Sequence, residues 1–119
     1  MRLNVLSTRW IFAGCVYLVI GIAWGVTMSA MHQYDTKGIH VHLNLLGWVS
    51  MVLMGLIYHH FPKAAQSRLA QWHFWSYQMA LPVMMGSLFA YFSGMPEASP
   101  VIAASSVCIL LSVVLFVFN

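Results

Sequence analysis

The chain has 119 residues, of which 61% are hydrophobic, and only five basic and two acidic side chains carry a formal charge. A soluble domain of this length buries too small a share of its surface to hide so much apolar side chain, so the composition excludes an ordinary soluble protein. The net charge of +3 comes from cations spread over the connections, and no basic patch for nucleic acid is expected. We predict an integral membrane protein.

Four long uncharged runs divide the chain, and each exceeds the roughly 20 residues that cross a hydrocarbon core of about 30 Å. We predict an all-α membrane protein, a bundle of four transmembrane helices that forms a single domain over residues 1–119. The predicted spans are about 10–31, 39–61, 73–94 and 98–118.

The basic residues indicate an orientation for these spans. Lys37 and Glu97 fall on one side of the predicted bundle, and the other four cations fall on the opposite side: Arg2, Arg9, Lys63 and Arg68. Because cytoplasmic loops are enriched in Lys and Arg, we predict a cytoplasmic N-terminus and a multi-pass protein of the inner cell membrane. The second span then begins at the outer face.

The first span resembles a signal peptide in its charge and apolar run, but that run is long for one, and we predict a retained helix. It contains Gly21 and Gly25 in a GxxxG pattern, which permits close helix approach in lipid. Cys15 and Cys108 fall in the middle of two spans and are expected to be small buried hydrophobes. The absence of a CxxCH motif predicts that any haem is held non-covalently.

The second span opens with His40 and His42, which are the strongest functional signal in the sequence. Ionisable residues inside a membrane span indicate a functional site, although interfacial histidines can also simply be hydrated. Residues two apart on an α-helix point about 200° apart, so one metal cannot use both rings of one helix. The pair therefore predicts one ligand for each of two neighbouring sites.

Two further residues follow on the same predicted face. Asn44 lies one turn from His40, where it can orient the ring or hold a water molecule. Gly47 lies seven residues from His40 and leaves the face flat, so that a porphyrin or a neighbouring helix can approach it. We predict that both belong to the site.

The remaining histidines lie at the two ends of the predicted spans. His32 ends the first span near the pair, as a third ligand, a partner of a haem propionate or a solvated residue. Three others lie at the opposite membrane face, about 30 Å away, where they can cluster as a metal or quinone site or be hydrated: His59, His60 and His73.

The region Arg9 to Gly94 resembles subunit I of the haem-copper oxidases, most closely the nitric oxide reductase and C-type oxidase branches. The resemblance is carried by Arg9-Trp10, the glycine-bearing first helix, HVHLNLLGW at 40–48, Gly55 to Pro62, and His73-Phe74-Trp75. It implies that an HxH helix supplies one axial ligand to each of two haems. The family's three similar four-helix arcs further imply that this chain corresponds to one arc.

The chain departs from that family at the copper site, since it has no HPxxY-type helix and no vicinal histidine pair at the outer face. Reduction of oxygen or nitric oxide is therefore not expected, and whether the chain is an enzyme stays open. The leading hypothesis is a b-type haem protein for electron transfer or for sensing haem or gas. The alternatives are a copper- or zinc-handling membrane protein and a non-enzymatic assembly or scaffold subunit.

A bis-histidine haem built from this motif needs a second ligand from elsewhere, because one helix cannot supply both. We predict a homo-oligomer in which each haem lies between His40 of one chain and His42 of the next, with a trimer favoured and a dimer as the alternative. Lys37 is the expected partner of the haem propionates, together with His32 or Gln33. A quinol or a redox protein is the expected electron partner.

Overall fold

The computed structural model describes residues 3–119, and Arg2, which contributes to the predicted orientation, lies outside this range. The protein is 88% helical, and the described residues contain no strand, which confirms the all-α prediction. The α-helices are α1 (Val5–Met31), α2 (Lys37–His42), α3 (Ser50–His60), α4 (Pro62–Ala65), α5 (Arg68–Phe92) and α6 (Ser99–Phe118). A π-helical segment (Leu43–Val49) joins α2 to α3, and a 3₁₀ turn (Pro96–Ala98) precedes α6.

Three helices are long and apolar enough to cross a membrane: Val5–Met31, Lys37–His60 and Pro96–Phe118. They agree with the first, second and fourth predicted spans and support a membrane protein. Helix α5 has 25 residues, which is sufficient length, but it is not among these three. Its first half carries Arg68, Gln71 and Gln78, which lower its hydropathy.

Helices α1 and α5 each begin five residues before the corresponding predicted span, because the residues that cap their N-termini lie further upstream. Asn4 accepts a hydrogen bond from the Ser7 backbone N–H at 2.8 Å and thereby caps α1. The Ser67 hydroxyl accepts the Ala70 N–H at 3.0 Å and caps α5. Asparagine and serine satisfy N–H groups that otherwise lack a partner in the first turn, so each helix extends back to its cap.

The first of two compact units ends at Ile57 and is a helical hairpin. Helix α1 packs against α2, the π-helical segment and α3, and glycines bring the backbones close together. A Cβ atom at Gly47 would lie 2.7 Å from Cβ of Tyr17, and one at Gly14 would lie 2.8 Å from Cγ2 of Val52. Small residues therefore allow the two helices of the hairpin to approach each other closely, as the glycines of the first span predict.

The helix that carries the histidine pair is not a regular α-helix, contrary to the sequence-based expectation. Directly after His42 it widens into the π-helical segment and returns to α geometry at Ser50. The Ser50 backbone N–H donates to the Leu45 carbonyl, which is the five-residue spacing of a π turn, and the Ser50 hydroxyl donates to the same carbonyl at 2.7 Å. π-Helical turns inside α-helices often occur at functional sites.

The second unit begins at Tyr58 and is organised around the antiparallel pair α5 and α6. Ser112 of α6 donates to the His73 carbonyl at 2.9 Å, and Ser76 of α5 donates to Ser112 at 2.9 Å. At the end of α6, the Asn119 amide donates to the Ala64 carbonyl at 3.0 Å. These bonds join the second half of α6 to α4 and to the first part of α5.

The expectation that the cysteines are buried is wrong. Cys15 on α1 and Cys108 on α6 are both exposed. In an apolar helix of a membrane protein, a small hydrophobe is stable at a lipid-facing position as well as in a protein core, so mid-span position did not determine burial.

Candidate functional site

The histidine pair lies at the beginning of the hairpin's second helix, and a backbone carbonyl holds each ring. Nδ1 of His40 lies 2.8 Å from the Gly21 carbonyl oxygen of α1. Nδ1 of His42 lies 2.6 Å from the Gly38 carbonyl oxygen, one turn earlier in its own helix. A carbonyl oxygen only accepts, so in both neutral rings Nδ1 carries the proton and Nε2 carries the lone pair.

This tautomer is the one that binds a metal through Nε2. Histidine ligands commonly donate the other N–H to a backbone carbonyl, which fixes the ring and makes the coordinating nitrogen more basic. Both His40 and His42 are only partly exposed. The chain thus presents two imidazoles whose Nδ1 atoms are held by backbone carbonyls, an arrangement that is common among histidine metal ligands.

His40 and Asn44 lie directly against α1, because Gly25 leaves room for the His40 ring and Gly21 for the Asn44 side chain. A Cβ atom at Gly25 would lie 2.8 Å from Cε1 of His40 and 3.2 Å from its Nδ1. A Cβ atom at Gly21 would lie 2.5 Å from Oδ1 of Asn44. The GxxxG pattern of the first span therefore contacts the candidate ligand and its neighbour.

Asn44 lies beside His40, which is the placement that the sequence predicts. Its Nδ2 is 3.4 Å from Nδ1 and 3.3 Å from Nε2 of the ring. The nearly equal distances put the amide nitrogen over a face of the ring, because in the ring plane it would overlap Cε1. Asn44 therefore restrains the His40 ring, and its amide nitrogen is within hydrogen-bond distance of Nε2.

Gly47 contacts a neighbouring helix, which is one of the two partners expected from the sequence, the other being a porphyrin. Tyr17 of α1 covers it, with Cβ and Cγ of the ring side chain both 2.7 Å from where a Cβ atom would stand. A contact between Gly47 and a porphyrin stays a prediction.

Lys37 and His32 lie at the same end of the hairpin as the pair. His32 ends α1 with a left-handed backbone (φ 52°), and its N–H bonds to carbonyls of the last turn, as in a helix C-cap. Lys37 is the first residue of α2, and both side chains are exposed. Trp24 donates to Thr36 at 3.1 Å and ties this connection to α1.

The three histidines of the second unit do not form a metal site. Within residues 3–119, no three His, Cys, Asp or Glu side chains are grouped so that they can hold a metal ion. His73 is fully buried and lies 2.9 Å, through Nδ1, from the Tyr58 hydroxyl. His59 and His60 contact each other edge to face. A metal site formed by these three histidines, one of the alternatives that the sequence left open, is therefore not supported, because His73 packs between α5 and α6.

The pairing of Tyr58 with His73 was not predicted from the sequence. The two residues are separated by fifteen positions and a reversal of the chain, and no local motif links them. Phe116 of α6 packs against both rings, with centroid separations of 5.4 Å and 5.1 Å.

Comparisons with known protein families, curated proteins and solved structures found no match to this chain. The resemblance to haem-copper oxidases therefore stays a prediction, and the site is assessed by its own chemistry. Haem iron needs one or two axial ligands from the protein, and neutral imidazole is the commonest of them. The donor set at His40 and His42 fits this requirement.

Proposed function

We propose that this chain is a b-type haem protein of the membrane, with His40 and His42 as axial ligands. The observation that carries the proposal is that a backbone carbonyl holds Nδ1 of each ring, which makes Nε2 the nitrogen whose lone pair iron would take. The porphyrin already supplies four ligands, so a haem does not require the cluster of three protein ligands that a bare zinc or copper ion usually requires.

The proposed role is electron transfer or the sensing of haem or gas. Haem supplies reversible one-electron chemistry at its iron. Two strong imidazole ligands fill both axial positions, which favours electron transfer over reduction of a bound substrate. A quinol or a redox protein is the proposed electron partner.

We further propose that α5 also crosses the membrane and is the third of the four predicted spans. Helix α6 has 20 residues, about 30 Å, and qualifies as a span by length and composition. Hydrogen bonds join α5 to α6 from His73, near one end, to Met84, whose sulfur accepts from Ser106 at 3.3 Å. This packing of α5 alongside a helix that qualifies as a span supports a position of α5 in the bilayer. The proposed orientation keeps the N-terminus in the cytoplasm of a cell bounded by an inner membrane.

The cofactor's carboxylates need cations or water at the membrane edge. Lys37 is exposed at the first residue of the helix that carries the histidine pair, and it is the proposed propionate partner. His32 and Gln33, in the adjoining connection, are secondary candidates.

The assembly follows from the separation of the two ligands on one helix. Each haem is proposed to lie between His40 of one chain and His42 of the next, and head-to-tail contacts of this kind close into rings. A trimer is favoured, since it gives twelve helices in three arcs, and a two-fold dimer is the alternative. Native mass spectrometry tests this directly: one haem per chain in a trimer is expected, and a monomer that retains its haem contradicts the arrangement.

The proposed ligands are tested by substitution in the purified protein. His40→Ala and His42→Ala should each lose the haem or convert it from low spin to high spin, as read by visible and EPR spectra. His59→Ala and His60→Ala are matched controls on the same helix and should retain the parent spectrum. Unchanged low-spin spectra in both of the first two variants would exclude these residues as ligands.

A further inference from the structure

We propose that His40 and His42 are inequivalent iron ligands, because helix α1 positions only His40. The backbone of α1 forms what we call the imidazole seat, which consists of the Gly21 carbonyl and the Gly25 α-carbon. The proposal rests on the function proposed above, since it assigns positioning residues to that same haem site.

The imidazole seat holds the ring at two points. The Gly21 carbonyl accepts the Nδ1 proton of His40 at 2.8 Å, and the Gly25 α-carbon faces the adjacent Cε1. A methyl group at Gly25 would stand 2.8 Å from Cε1, closer than real Cβ contacts. Any larger residue at position 25 must therefore displace the His40 ring.

Asn44 restrains the same ring from the helix that carries His40, one turn further along the chain. Its amide nitrogen lies 3.3–3.4 Å from the two ring nitrogens of His40, while its oxygen packs against Gly21. A substitution at Gly21 would consequently disturb two side chains at once. Gly25 contacts the ring of His40 in particular, so it offers the cleaner perturbation.

His42 does not use this arrangement. Its Nδ1 bonds to the Gly38 carbonyl at 2.6 Å, four residues earlier in the same helix. That bond depends on one turn of α2 and not on the packing of α1. Damage to the imidazole seat should therefore release His40 from iron and leave His42 coordinated.

Damage to the imidazole seat should affect one of the two histidine ligands of a bound haem and not the other. Loss of hydrogen-bonded support behind a histidine ligand commonly weakens metal affinity 10–100-fold. Each proposed haem would be held by one histidine of each type, so damage to the imidazole seat should weaken the bond from His40 and keep the bond from His42. A general loss of helix packing would weaken both ligands together.

The experiment compares Gly25→Ala with Gly14→Ala in the full-length protein. Gly14 lies on the same helix, and its added methyl would stand 2.8 Å from Val52, so the strain is similar but does not touch a histidine. We expect Gly14→Ala to keep the low-spin spectrum. Gly25→Ala should become high spin, with haem affinity about 10–100-fold weaker.

A second measurement does not depend on haem. In haem-free protein with ¹⁵N-labelled histidine, both His40 and His42 should show the Nδ1–H tautomer, with signals assigned through the alanine variants. Gly25→Ala should shift the His40 signals alone. Unchanged His40 signals together with an unchanged haem spectrum would overturn the imidazole seat.

The two proposals fail differently. If the parent protein binds no haem but Gly25→Ala still shifts only the His40 signals, the haem function is wrong and the imidazole seat stands. If Gly25→Ala does not fold, the ¹⁵N spectrum of the haem-free parent protein is the test. An Nε2–H tautomer at His40 overturns the imidazole seat, and an Nδ1–H tautomer supports it.

Discussion

Replacement of Tyr58 by Phe tests the polar contact that organises the second unit. Tyr58 is 1% exposed and His73 is 0% exposed, and the hydroxyl lies 2.9 Å from Nδ1 of the imidazole. The variant removes this bond, and the hydroxyl's hydrogen bond with the Asn119 side chain, where water cannot replace them, so the free energy of unfolding should fall by about 1–3 kcal/mol. The change is measurable by titration with SDS in mixed micelles.

A double-mutant cycle distinguishes the hydrogen bond from lost packing. Replacing both partners of a buried bond by apolar groups can be nearly neutral, so adding His73→Leu to Tyr58→Phe should cost less than the two single changes together. Tyr91→Phe, on the exposed surface of α5, is the control and should stay within about 0.5 kcal/mol of the parent. Equal stabilities of Tyr58→Phe and the parent protein would refute the assigned contact.

Three further predictions concern the hairpin and its proposed cofactor. Gly47→Ala should destabilise by about 1–3 kcal/mol because its methyl group overlaps Tyr17, whereas Gly86→Ala, with open space around it, should not; equal unfolding curves would contradict this. Lys37→Gln should weaken haem binding or shift the midpoint potential in a redox titration, and no change in either would remove Lys37 from the site. The reduced parent protein should bind carbon monoxide only slowly, after loss of an axial ligand, and rapid binding in flash photolysis would contradict six-coordination.

The sequence predicted those parts of the fold that depend on solvent and on periodicity. Long apolar runs indicate helices in a bilayer, and three of the four predicted spans correspond to helices of sufficient length and hydropathy. Helix starts were less accurate, because the capping roles of Asn4 and Ser67 depend on local backbone geometry. The widening of the helix after His42 has no evident signal in composition.

In the candidate site, too, some features were predicted from the sequence and others depend on tertiary packing. His40, His42 and Asn44 were identified from their spacing, and the structure brings Asn44 to His40. The contact of Gly21 and Gly25 with the ring was not predicted, since a GxxxG pattern specifies only that some group approaches closely. Which group does so depends on the register of two helices, and that register is a tertiary property.

The central claim is that this chain binds haem b without a covalent bond, and the haem content of the purified parent protein tests it most directly. Full-length protein should be expressed with haem synthesis intact, purified in mild detergent and analysed as the pyridine haemochrome. The account predicts a b-type spectrum at one haem per chain, extractable by acidified acetone. Purified, folded protein without haem, which also fails to bind added haemin, would contradict it.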